Sequence, residues 1–387
     1  MFIINAISNK GSPSLGGYVS TSSKMFNNNK LKLGIFSANC SSGMAVTKVP
    51  ERWKNSWQNN LELAQMCDDA GLEFLLPIAR WIGYGGETDF HGSVLETVTW
   101  AASLLACTHS IQVFATVHTA FNHPVISAKQ LATIDQVSGG RMGLNVVAGW
   151  NKPEYEAFGV ELPQVHADRY TLAQEWFDVI QKLWQEDKPF DWNGDFFQLK
   201  GVYGLPHPVQ SRVPILNAAA SVEGRAFALR NADFLFTPLF DFEQGTATVA
   251  EISGNAAAAG KDVGVFTFCS VVCRPSMKEA EDYLHYYADE LADWEAVDYL
   301  MELQGMHAQS FTPEALAKFR DRFASGHGGF PLVGTPDHIA DQLEQLSATG
   351  LAGTTLSFVD YVAEFPYFRD EVIPRLEKKG LRNPVPS

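Results

Sequence analysis

Short apolar runs alternate along the chain with stretches in which apolar residues recur every three or four positions. The first run is Leu31-Lys32-Leu33-Gly34-Ile35-Phe36, and others cover 73–78, 111–116, 142–147, 213–217, 232–236, 264–271 and 353–358. Nearly continuous apolarity over so few residues predicts strands buried on both faces. Between them lie amphipathic helices. The first carries Trp53, Trp57, Leu61 and Ala64 on one face, and Gly71 suits its left-handed end. The others are expected near 93–106, 124–138, 166–185, 222–230, 243–259, 277–292 and 335–349. The last is fully signposted: Thr335 caps it, Pro336 fits the first turn, Ile339, Leu343 and Leu346 form the stripe, and Gly350 ends it.

Repeated strand–helix units predict parallel strands joined by right-handed crossovers. Eight such units predict an α/β fold, a closed (β/α)8 TIM barrel with insertions after its strands. A doubly wound open sheet would run from its first strand into a G-x-G-x-x-G turn; here Ser37-Ala38-Asn39-Cys40-Ser41-Ser42-Gly43 follows. Residues 31–387 are expected to form this single domain. Residues 1–30, rich in Ser, Asn, Gly and Lys without the apolar centre of a signal peptide, read as a flexible tail in which Met25 is an alternative start. Two segments break the rhythm. Residues 186–212 read as an insertion with a short hairpin, and 293–331 as a second insertion. The glycine-rich end of the latter, Ser325-Gly326-His327-Gly328-Gly329-Phe330, reads as a mobile loop that closes over the site.

The bulk numbers narrow the function classes. Of 387 residues 46% are hydrophobic, ample for one large core. Lys and Arg number 29 against 44 Asp and Glu, a net charge of −15 that disfavours nucleic acid and anionic membranes as partners. No run reaches the roughly 18–20 apolar residues that span a bilayer. The five cysteines, Cys40, Cys67, Cys107, Cys269 and Cys273, are odd in number and complete no metal site with histidines. They read as buried reduced thiols of a cytoplasmic protein, with no metal expected.

A (β/α)8 barrel places its chemistry at the carboxyl ends of its strands. There the chain carries Ala79-Arg80-Trp81 through Tyr84, then Thr116-Val117-His118 with Phe121 and Asn122-His123-Pro124. Asn145, Trp150-Asn151, Glu154-Tyr155 and Ser221 follow. This mixture suits a flat aromatic ligand with polar edges and an anionic group. Each residue also has a plainer reading. Arg169 is either a phosphate clamp or a solvated charge, Ser221 an anion contact or a helix cap, and Glu154 a ligand contact or a first-turn carboxylate. Trp81 and Trp150 either stack on ligand or pack. His118 faces substrate or merely hydrogen-bonds. Arg141 reads as structural, with Asp135 either its ion-pair partner or a helix-end acceptor. Asn145 stands out, because an amide in an apolar strand needs partners.

Ala128-Lys129-Gln130-Leu131-Ala132-Thr133-Ile134-Asp135, followed by Ser138-Gly139-Gly140-Arg141, resembles the signature of the bacterial-luciferase-like flavin-dependent monooxygenases. Asn145-Val146-Val147-Ala148-Gly149-Trp150, Pro153-Glu154-Tyr155 and Asp168-Arg169-Tyr170 are similar to the branch of pyrimidine and dimethylsulfone monooxygenases. The resemblance spans about residues 31–380. It implies a two-component (group C) enzyme that receives reduced FMN from a separate NAD(P)H:flavin reductase. It implies that O2 is activated as a flavin peroxide to oxygenate a small organic substrate, with C–N or C–S cleavage or replacement of a leaving group. It further implies FMN contacts at Ala79, Arg80, Asn145, Glu154, Arg169, Tyr170 and Ser221, and O2 held by Thr116 and Asn145. The enzyme is expected to be a homodimer or homotetramer through helices beside the fourth strand. His118 has no counterpart in the pyrimidine enzymes, and Arg80 stands where they have lysine. The competing readings are a deazaflavin-dependent hydride-transfer enzyme on the same barrel and a non-catalytic flavin-binding protein.

Overall fold

The computed structural model describes residues 23–163, 165–219, 221–306 and 312–385. In chain order it forms β1 (Lys32–Phe36), α1 (Trp57–Asp69), β2 (Phe74–Leu76), α2 (Thr97–Ala106), β3 (Gln112–His118), α3 (Pro124–Ser138), β4 (Met142–Val147), α4 (Lys152–Ala157) and α5 (His166–Gln185). An antiparallel hairpin, β5 (Phe190–Asn193) and β6 (Gln198–Val202), is the expected insertion. Then follow β7 (Ile215–Ala218), α6 (Val222–Asn231), β8 (Phe234–Phe236), α7 (Phe242–Ala258), β9 (Gly264–Cys273) and α8 (Met277–His285). The chain ends with α9 (Trp294–Leu303), α10 (Pro313–Gly326), β10 (Phe330–Gly334), α11 (Pro336–Ala348), β11 (Gly353–Ser357), α12 (Tyr361–Glu371) and α13 (Ile373–Lys378). Eight parallel strands close in the order β1-β2-β3-β4-β7-β8-β9-β11, with β11 returning to β1. The fold is the expected (β/α)8 barrel.

The barrel interior is filled by phenylalanine. Phe74, Phe114, Phe234 and Phe266 meet edge-on, with ring centroids 5.3–5.8 Å apart. Two strand positions must be glycine to admit these rings. A Cβ on Gly34 would lie 2.7 Å from Phe74, and one on Gly143 2.6 Å from Phe114. Gly143→Ala is therefore expected to cost about 1–3 kcal/mol through overpacking. Urea unfolding measures it; an unchanged midpoint would mean the ring can step aside.

Several expectations need correction. Residues 23–30 are not tail. Ser23 caps a short 3-10 turn at Lys24–Phe26, and Met25 plugs the phenylalanine layer from below. The rest of the expected tail lies outside the described residues. Trp53 precedes α1 rather than lying on it; its indole N–H donates to the Ala38 carbonyl (2.8 Å). The second insertion holds α9, α10 and an unexpected ninth parallel strand, β10, paired with the outer half of β9. Residues 325–330 are consequently a packed turn rather than an open loop, with Ser325, Gly326, Gly329 and Phe330 buried. Cys107 is exposed, while the other four cysteines are buried. Arg141 is structural, but its guanidinium donates to the carbonyls of Leu105, Thr108, Ile111 and Ser138, not to Asp135. Asp135 instead accepts from Val209, Gln210 and Met142. Among the described residues no helix is long and apolar enough to cross a membrane.

Candidate active site

A cavity of about 620 Å³ opens at the carboxyl ends of the strands. Ala79, Arg80, Thr116, His118, Asn145, Tyr170 and Ser221 all line it. β3 supplies Thr116 and His118 two residues apart, so both point into the barrel. β4 supplies Asn145, register partner of Thr116.

These side chains form a directed chain. The Thr116 hydroxyl donates to the Pro77 carbonyl (2.7 Å), and the Asn145 amide donates to Thr116 Oγ1 (3.1 Å). Thr116 thus directs its single hydroxyl proton to the Pro77 carbonyl. Its part is to orient Asn145, whose buried Oδ1 has no partner. A buried amide oxygen left open beside a cavity is an acceptor waiting for a ligand N–H.

Glu154 is not in the cavity wall. It lies buried behind Arg80 and accepts from Arg80 Nη1 (3.0 Å) and the Trp81 backbone N–H (2.7 Å). Its contact with any ligand runs through Arg80. The guanidinium lies over the rings of Tyr84 (5.0 Å) and Trp150 (5.4 Å), leaving Nε unpartnered. Of the two tryptophans weighed as stacking partners, Trp150 lines the cavity and Trp81 does not. Trp81 and Phe121 pack on Phe158 at the rim, and Tyr84 is buried beneath Arg80.

The loop after β4 is shaped by Tyr155, whose hydroxyl donates to the Ala148 carbonyl (2.9 Å). It passes under Gly149, at φ 95°, where a Cβ would approach that hydroxyl to 2.3 Å. Arg169 donates to the Gly149 carbonyl (3.1 Å) and keeps a buried Nε without a partner. Ser221 caps α6, accepting from the Gly224 N–H (3.1 Å), and Tyr170 hydrogen-bonds Ser221. A Cβ on Gly224 would lie 2.5 Å from the Tyr170 hydroxyl, so that glycine admits the tyrosine to the helix end. A helix N-terminus with a hydroxyl, a phenol and a nearby guanidinium is suited to a phosphate.

The second insertion supplies wall residues that the sequence did not flag, Gln304, Met306 and Phe323, together with His327 of the glycine-rich segment. His327 sits at φ 54° as the cap of α10. Burial, with Arg80 nearby, pushes the pKa of His327 and of His118 down to about 3. Burial and His327 hold the neighbouring His91 well below the usual imidazole range. All three rings are neutral at pH 7. His123 faces elsewhere, capping α3 through Nδ1 and the Val125 N–H (3.3 Å).

The fold and this strand-end cavity define an enzyme of the (β/α)8 class. A sequence model of the family described as "Luciferase-like monooxygenase" matches residues 31–353. The FMNH(2)-dependent dimethylsulfone monooxygenase of Pseudomonas putida is 32% identical over 357 residues, covering 89% of this chain and 94% of that protein. Pyrimidine monooxygenase RutA of Escherichia coli O127:H6 is 30% identical over 354 residues, covering 90% and 96%. The crystal structure of DmoA from Hyphomicrobium sulfonivorans superposes with a TM-score of 0.81 at 22% identity, covering 92% and 90%. The chain belongs to the luciferase-like monooxygenase family and is a flavin-dependent monooxygenase.

Proposed function

We propose that the enzyme works as one half of a two-component system, taking reduced FMN from a separate NAD(P)H:flavin reductase and oxygenating a small organic molecule with O2. The observation that carries this reading is the pair of unpartnered buried atoms on the cavity wall, Asn145 Oδ1 and Arg80 Nε, with Arg169 Nε unpartnered beside the Gly149 loop. They fit FMN. Asn145 offers an acceptor for a ring N–H, while Ser221, Tyr170, Arg169 and the α6 N-terminus suit the phosphate. Ala79 offers its backbone at the cavity wall, and Glu154 holds Arg80 in place. Bound there, reduced FMN supplies the electrons that activate O2 for insertion of one oxygen atom. Thr116 fixes the Asn145 amide, and His118, neutral and with an unpartnered Nδ1, faces the reacting region. The phenylalanine-lined wall excludes water. The reactions in reach are C–N or C–S cleavage and replacement of a leaving group. Ile126 and Val137 on the outer face of α3, each 60% exposed, support assembly into a dimer or tetramer through that helix.

The test is turnover with photoreduced FMN and ¹⁸O2 over a panel of cyclic amides, sulfones, and halogenated and nitro aromatics, read by mass spectrometry. One labelled product is expected. Tight binding of reduced FMN with hydrogen peroxide as the sole product throughout would count against oxygenation. Tighter binding of a deazaflavin than of FMN would favour hydride transfer instead.

A further inference from the structure

Relatives of this chain are named for dimethylsulfone and for pyrimidines, both small and polar. The cavity here has a different character at its base. Its floor is three rings from three strands: Phe36 of β1, Phe236 of β8 and Phe268 of β9. Phe236 and Phe268 lie within 15° of parallel at 5.7 Å, and Phe36 stands edge-on to both at 5.3 and 5.9 Å. Phe36 and Phe268 point into the barrel yet stay partly accessible, because the cavity opens over them. Phe240 and Phe319, edge-to-face at 5.4 Å, line the cavity above.

Among the described residues, Arg80 is the one charged side chain in the cavity lining, and Glu154 neutralises it at 3.0 Å. The imidazoles of His118, buried, and His327, half-buried, sit beside it, with no carboxylate among the described residues hydrogen-bonded to either ring. A carboxylate or sulfonate placed over the phenylalanine floor would lose its water and find no free cation among the described lining residues. A ring would gain offset and edge-to-face contacts with three phenylalanines, which an open aliphatic chain cannot make in full.

We infer that the substrate is an uncharged aromatic molecule, its ring seated on Phe36, Phe236 and Phe268. This rests on the monooxygenase reading above and narrows it. The three floor rings set specificity.

Isothermal titration calorimetry of the full chain, with and without bound FMN, tests it with matched probes. 4-Nitrotoluene is the uncharged arene, 4-nitrobenzoate its charged counterpart and 1-nitrohexane its aliphatic one. The expected result is binding of 4-nitrobenzoate about 100-fold weaker than 4-nitrotoluene, from desolvation of an unpaired charge. 1-Nitrohexane is expected about 3- to 10-fold weaker, and Phe236→Leu should lower affinity for 4-nitrotoluene by a similar factor while leaving 1-nitrohexane unchanged. Phe268→Leu serves if the first variant fails to fold. Equal or tighter binding of 4-nitrobenzoate, no preference for the ring over the chain, or no binding of any probe would overturn the inference. Failure of FMN itself to bind would sink the monooxygenase reading instead, and the probe ranking on the flavin-free chain would still decide this one.

Discussion

Glu154→Ala is expected to destabilise the protein by about 3–5 kcal/mol, the cost of leaving a buried charge without its partner. Arg80 and Glu154 are almost wholly withdrawn from solvent and meet at 3.0 Å. The same carboxylate oxygen also accepts the Trp81 backbone N–H at 2.7 Å. Removing it strands a guanidinium between the rings of Tyr84 and Trp150 and orphans a backbone donor. Urea unfolding of wild type and variant measures the loss. Glu154→Gln keeps an acceptor for the Trp81 N–H and should fall between the two. The double variant Arg80→Met, Glu154→Ala should recover much of the stability, since an apolar pair of similar volume does not carry the unpaired charge. A loss below about 1 kcal/mol in Glu154→Ala would show that Arg80 swings out to water, and the cavity wall described above would then be wrong.

Acid should weaken the fold before any ordinary carboxylate titrates. His118 and His327 have folded pKa values near 3, against 6.5 for an imidazole in water. Below pH 6.5 the unfolded chain binds a proton at each site and the native chain does not, so stability falls as pH falls, down to about 3. Above pH 6.5 these groups contribute no slope. Between pH 6.5 and 5 each histidine should remove about 2 kcal/mol, or roughly 4 kcal/mol together. His91, also depressed, adds in the same direction. Glu364, raised by burial, opposes them, because its native form takes up a proton first. The histidines outnumber it. Denaturant midpoints at pH 7.5, 6.5, 5.5 and 5.0 check the slope, and His327→Gln should remove one proton's share of it. A flat profile from pH 6.5 to 5 would mean that water reaches these rings in the native state.

Much of the architecture was legible in the chain because it is written locally. Strands buried on both faces read as apolar runs, and capped helices such as α11 carry their start and stop residues in order. All eight barrel strands fell within a few residues of their expected places. β10 was not legible: Phe330–Gly334 is short, follows a glycine-rich turn and exists because β9 extends past the barrel to receive it. Trp53 went to the wrong element because its spacing suits a helix face, while its indole is held by a carbonyl fifteen residues back. The N-terminal segment looked like tail because its polar residues conceal one buried methionine.

At the site, residue types and their strand-end placement followed from the sequence alone: Thr116, Asn145, His118, Arg80 and Ser221 meet at one cavity because a parallel barrel brings strand ends together. What each atom does was decided by tertiary contacts. The Thr116 hydroxyl donates to the Pro77 carbonyl and accepts from the Asn145 amide, so it holds that amide in place. Glu154 is turned inward by Arg80 and the Trp81 amide, so it supports the wall rather than forming it. The phenylalanine floor joins Phe36 of the first strand to Phe236 and Phe268, which lie 200 and 232 residues further along the chain. Periodicity records which face of a strand is buried. It does not record which buried faces meet, because that depends on closure of the barrel and on the hydrogen bonds left open inside it.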